Sequence, residues 1–104
     1  MTREQLRVCE ALDWRVNECE DEIELEKYSP AGEDFLFSIT DVDDVSRAVC
    51  EYANDFDVNE HIEMWILARR NGVSGVPMAT ELVEDARAIK AMLRELADAL
   101  TDCD

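Results

Sequence analysis

The stretch Glu22-Ile23-Glu24-Leu25-Glu26-Lys27-Tyr28 sets charged against apolar side chains with a period of two. A strand can hold Ile23 and Leu25 on one face with Glu22, Glu24 and Glu26 on the other, whereas a helix would scatter them. Ser29-Pro30-Ala31-Gly32-Glu33-Asp34 is a turn-rich break. Phe35-Leu36-Phe37-Ser38-Ile39-Thr40 then reads as a second strand with Phe35, Phe37 and Ile39 on one face. The two strands form a hairpin with a loop of about six residues. A lone hairpin is marginal in water, so helices must cover its apolar face.

Helical signals flank the hairpin. Thr2 with Gln5 makes a capping box, and Leu6, Cys9, Leu12 or Asp13, and Val16 follow at helical spacing, predicting a helix from about residue 3 to about 18. Trp14 falls on or near its buried stripe. Thr40 is the expected cap of a second helix, with Asp41, Asp43 and Asp44 at its positive end. Val42, Val45, Val49, Tyr52 or Ala53, and Phe56 form its stripe. Asp57-Val58-Asn59-Glu60 caps a third helix carrying Ile62, Trp65, Ile66 and Arg69 and stopping at Asn71-Gly72. After a Val73–Pro77 loop, a last helix runs from about Met78 to Leu100 with Leu82, Ala86, Ile89, Leu93, Leu96 and Leu100 as its core face. The expected fold is α+β: an N-terminal helix, a two-stranded antiparallel hairpin and three helices, packed as a single domain over residues 1–104.

The charge is unevenly placed. Between Glu18 and Glu63 stand sixteen acidic residues against only Lys27 and Arg47, on a chain whose net charge is −16. Residues 64–104 are close to neutral, which argues against a uniformly salt-adapted surface. Such a field repels phosphates, so neither nucleic acid nor an anionic membrane is an expected partner, whereas basic proteins are. No apolar run approaches 18 residues and the start has no apolar leader, so a cytoplasmic protein is expected. Cys9, Cys19, Cys50 and Cys103 form no C-x-x-C pair and read as buried or incidental thiols.

Motifs for catalysis are lacking. His61-Ile62-Glu63 matches the H-x-E of zinc deaminases, but no P-C-x-x-C accompanies it. Asp41-Val42-Asp43-Asp44 opens like a calcium loop, yet Ser46 stands where glycine is needed and Tyr52 where glutamate is needed. No enzyme activity, cofactor or metal ligand is expected.

Two regularities make the acidic segment more than a solvated surface. Glu22, Glu24 and Glu26 repeat every ~6.6 Å along one strand face, a register that Glu18 and Glu20 extend if the strand begins early. Asp44, Glu51 and Asp55 share one face of the following helix. Carboxylates at this pitch approximate the phosphate spacing of DNA and suit a site built for nucleic acid. Only Lys27 lies near enough in sequence to relieve the strand. The expected partner-binding face comprises Glu18, Glu20, Asp21, Glu22, Glu24, Glu26, Asp41, Asp43, Asp44, Glu51, Asp55 and Asp57.

At Tyr28-Ser29-Pro30-Ala31-Gly32-Glu33-Asp34-Phe35 and at Phe56-Asp57-Val58-Asn59-Glu60-His61-Ile62-Glu63-Met64-Trp65, the chain resembles small acidic proteins of phages and conjugative elements of gut Clostridia, within the Firmicutes. Gly72-Val73-Ser74-Gly75-Val76-Pro77 and Glu81-Leu82-Val83-Glu84-Asp85-Ala86 also fit, so the likeness spans most of residues 22–100. It transfers no catalytic residue. It implies a mobile-element setting, where small acidic proteins include anti-restriction and anti-CRISPR inhibitors. The expectation is a non-enzymatic inhibitor in the bacterial host cytoplasm. It would act as an acidic DNA mimic on the basic groove of a restriction nuclease or, foremost, a Cas9-type CRISPR effector. The alternative is a mobile-element adaptor or homodimeric interaction protein whose acidity only solubilises it.

Overall fold

The protein is seen in a computed structural model that describes residues 1–69 and 79–103, with side chains at 1–64 and 82–103. Helix α1 (Arg3–Ala11) opens on the expected capping box: the Thr2 hydroxyl accepts from the Gln5 N–H at 3.1 Å and the Gln5 side chain accepts from the Thr2 N–H at 2.9 Å. It ends at Ala11, not near residue 18 as predicted. Asp13 takes a left-handed backbone with φ 67°, and the Trp14 N–H returns to the Cys9 carbonyl at 2.9 Å. Aspartate tolerates that region better than most side chains. The chain thereby reverses, Trp14 drops into the core at 1% exposure, and the next residues become a strand.

That strand, β1 (Arg15–Glu18), corrects the expected two-stranded hairpin. It pairs antiparallel with β2 (Ile23–Tyr28), matching Arg15 to Glu26, Val16 to Leu25, Asn17 to Glu24 and Glu18 to Ile23. On its other side β2 pairs with β3 (Asp34–Ile39), from Ile23 opposite Ile39 to Tyr28 opposite Asp34. The alternating strand is therefore the centre of a three-stranded sheet ordered β1-β2-β3. Ile23, Leu25, Phe35, Phe37 and Ile39 are buried on its inner face, as the period of two requires.

Helix α2 (Val45–Asp55) starts later than predicted. Asp44, not Thr40, is its cap, accepting the Arg47 N–H at 3.3 Å. Thr40 to Asp44 are instead spent in turns that carry the chain away from the end of β3, with Val42 N–H bonded to the Thr40 carbonyl. Helix α3 (Val58–Arg69) begins as predicted, with Asp57 accepting the Glu60 N–H at 3.1 Å. The predicted stop at Asn71-Gly72, the Val73–Pro77 loop and a helix start at Met78 lie outside the described residues, as do the side chains of Trp65, Ile66 and Arg69. Helix α4 (Ala79–Asp102) runs two residues beyond the predicted end at Leu100. Its predicted core face, from Leu82 to Leu100, is buried throughout.

One core joins these elements. The inner sheet residues and Trp14 pack with Val45, Val49 and Ala53 of α2 and with Ile89, Leu93, Leu96 and Leu100 of α4. Trp14 meets Phe37 edge-on at 5.6 Å, and Phe37 stacks on Tyr52 of α2 at 4.4 Å. No helix among the described residues is long and apolar enough to cross a membrane.

Candidate functional site

The sheet register decides which acids meet. Glu18, Ile23 and Ile39 lie in one row across the three strands, a row about 10 Å wide at the usual strand spacing. Two connections leave from this row. One is the tight turn Cys19–Glu22, closed by the Cys19 N–H on the Glu22 carbonyl at 2.8 Å. The other is Thr40–Asp44, which leads into α2. Glu18, Glu20, Asp21 and Glu22 from the first thus gather at the same end of the sheet as Asp41, Asp43 and Asp44 from the second.

Some of these charges are matched. Glu18 lies 3.3 Å from the terminal amine of Met1. Arg47 reaches Asp41 at 2.9 Å, Asp44 at 3.7 Å and Glu51 at 3.8 Å, and Asp41, as hydrogen-bond acceptor and as charge, chiefly raises the guanidinium's pKa. Glu20, Asp21, Glu22 and Asp43 hold no salt bridge among the described residues, and of these only Glu22 is partly shielded from solvent.

Glu24 and Glu26 are placed differently. They project from the outer sheet face as predicted, but the missed strand β1 supplies their partners. Arg15 forms a salt bridge with Glu26, and Asn17 donates to Glu24 at 3.2 Å. The Arg15 guanidinium also lies 5.3 Å from the Tyr28 ring. Lys27, the expected relief for the strand, points inward over Trp14 at 5.9 Å. The predicted unrelieved row therefore does not form on the sheet. Nor do Glu18 and Glu20 extend its register, because the chain turns at Cys19–Glu22.

Asp44, Glu51 and Asp55 run along α2, with Arg47 set between Asp44 and Glu51. Helix α2 packs on the inner side of the sheet through the Tyr52–Phe37 stack. Glu24 and Glu26 point off the other side. The strand acids and the helix acids thus do not share one surface; the acids of the two connections do.

A second cluster escaped the sequence reading. Glu33, before β3, lies 3.3 Å from His61 of α3, and its side chain is only 16% exposed. Burial, and then the neighbouring Asp85 carboxyl of α4, push the Glu33 carboxyl above the usual glutamate range, against the pull of His61. Asp85 is 5% exposed and accepts the Ala31 N–H at 3.3 Å. His61 packs on Phe56 at 5.3 Å and Phe35 at 5.9 Å. One signal for this cluster was present: Asp85 sits between Leu82 and Ala86 on the apolar stripe of α4, where a charge has to find a partner. No group of three or more side chains suited to a metal ion occurs among the described residues.

No family model, no curated protein and no solved structure matches the chain.

Proposed function

We propose that this protein is a non-enzymatic inhibitor of a host nucleic-acid-targeting defence enzyme, foremost a guide-loaded CRISPR effector of Cas9 type in the bacterial cytoplasm. It acts as an acidic mimic, placing carboxylates where the target receives phosphates. The observation that carries this reading is the acidic end of the sheet. Two separate connections deliver seven carboxylates there, and Glu20, Asp21, Glu22 and Asp43 have no salt bridge among the described residues. A groove lined by arginines would engage such groups through charge-assisted bonds, and the same field repels nucleic acid itself.

The test is competition. Target DNA bound to a guide-loaded Cas9-type effector is challenged with the protein at rising salt. Displacement of DNA is expected, fading as the screening length falls from about 8 Å at 0.15 M to about 3 Å at 1 M. Binding that leaves the DNA in place, or displacement indifferent to salt, refutes mimicry.

One observation favours the other reading, a mobile-element adaptor or homodimer. The outer sheet face exposes Tyr28 at 56% and Leu36 at 53%. Sedimentation decides it: a dimer that persists at high salt and is broken by Leu36→Glu supports the adaptor.

A further inference from the structure

At the opposite end of the sheet from the acidic turn, β3, the end of α2 and the start of α3 enclose an open cleft of about 430 Å³. Its aromatic wall is Phe35, Tyr52 and Phe56, with Phe35 and Phe56 edge-on at 5.9 Å. Carboxylates surround that wall: Asp34 from β3, Asp55 from α2, Asp57 and Glu60 at the start of α3, and Glu33 at the His61 side. Among the described residues, Asp55, Asp57 and Glu60 hold no salt bridge and no arginine or lysine lines the cleft. Lys90 is committed elsewhere, donating to the Phe56 carbonyl at 2.8 Å.

We propose that this cleft receives one arginine side chain of a partner protein, its guanidinium stacked on the aromatic wall and its N–H groups turned to the carboxylates of the rim. An anionic ligand is excluded by the five acids. A metal ion is disfavoured because no suitable ligand group forms among the described residues. Among cations, a guanidinium is planar, weakly hydrated and forked, so it stacks on rings and bonds carboxylates together. A lysine ammonium gains less from the rings because it is more strongly hydrated. The volume lies near the lower end of the ~300–1,000 Å³ usual for ligand pockets, enough for one long side chain and the backbone that carries it. Glu33, a mostly buried carboxyl already pressed by Asp85, gains from a cation brought beside it.

The inference does not rest on the acidic end, and its test separates the two. Isotope-labelled protein is titrated with N-acetyl-arginine-methylamide, and separately with the lysine analogue and with spermidine, while resonances of Tyr52, Phe56 and His61 are followed. Saturable shifts confined to the cleft are expected, with arginine at least about threefold tighter than either competitor. Asp55→Asn with Glu60→Gln, both at exposed positions, is expected to weaken arginine binding about tenfold without disturbing the spectrum elsewhere. Phe56→Leu keeps an apolar wall but removes the stack, and should erase the preference for arginine over lysine. Charge reversal at Glu20, Asp21, Glu22 and Asp43 should leave arginine binding intact. Equal affinity for all three cations, shifts that never saturate, or shifts centred on the acidic turn overturn the proposal, as does full arginine preference in Phe56→Leu.

Discussion

The outer face of the sheet and the acidic end beside it are built from overlapping sequence, yet one presents its acids partnered and the other presents them open. On the face, β1 lies antiparallel to β2 and sets Arg15 against Glu26 and Asn17 against Glu24. At the end, the chain leaves the sheet and no neighbouring strand supplies a match for Glu20, Asp21, Glu22 or Asp43 among the described residues. A run of acids in sequence is thus divided by topology into a partnered part and an open part. What a partner meets is decided by the strand that lies alongside, not by the density of acids along the chain.

The sharpest way to break this comparison is to reverse the open charges and compare them with the matched ones. Glu20, Asp21, Glu22 and Asp43 changed together to lysine should weaken binding to the effector at least about 100-fold. Glu24→Gln with Glu26→Gln should change it less than about threefold, since those groups are already engaged. Equal losses in the competition assay would erase the distinction. A smaller effect is expected from Arg47→Ala, which releases Asp41, Asp44 and Glu51 from their common cation. It should tighten binding about threefold and slightly lower the melting temperature; unchanged affinity would show that Arg47 shields nothing.

Glu33 provides a third environment, a carboxyl beside a carboxyl. Its folded pKa lies above that of an ordinary glutamate, so the folded state holds its proton more tightly than the unfolded chain. Stability from this group is present at low pH and lost as pH rises through the window between the ordinary and the raised value. Glu33→Gln should therefore melt higher than the parent at about pH 8, with the difference shrinking toward zero near pH 4. A constant difference across pH in thermal scans would contradict the assignment. The mildest test uses a thiol reagent. Cys19 stands exposed in the acidic turn, whereas Cys9 is buried and its thiol is pushed up to about 11, by burial first and then by the nearby Cys103. Mass spectrometry should find Cys19 alkylated in the folded protein and Cys9 only after unfolding.

Much of the fold was legible because its signals are periodic. The alternation through β2 and β3 and the stripe from Leu82 to Leu100 each repeat often enough to name their element and its buried side. β1 was not legible, because Arg15-Val16-Asn17-Glu18 offers Val16 alone as an apolar residue and continues a helical spacing begun at Leu6. The candidate site suffered from that one omission. Without β1 the strand acids lack Arg15, and the turn that joins Glu18 to Glu22 does not exist. The choice of Asp44 over Thr40 as the helix cap was equally hidden, since both are good caps and only the path out of β3 separates them. The pairing of Glu33 with His61 and Asp85 spans long separations in sequence, which no local pattern encodes.

The left-handed backbone at Asp13 has a consequence for how substitutions would be read. Only glycine, asparagine and aspartate occupy that region at small cost, and a β-branched residue such as valine there would cost roughly 1–2 kcal/mol. Asp13→Asn and Asp13→Gly should pass unnoticed, while most other exchanges should be selected against. The side chain itself stands in solvent. A mutational scan would thus flag an exposed, acidic, intolerant position next to Trp14, the profile of an interaction hot spot. Its intolerance would instead report a corner in the main chain.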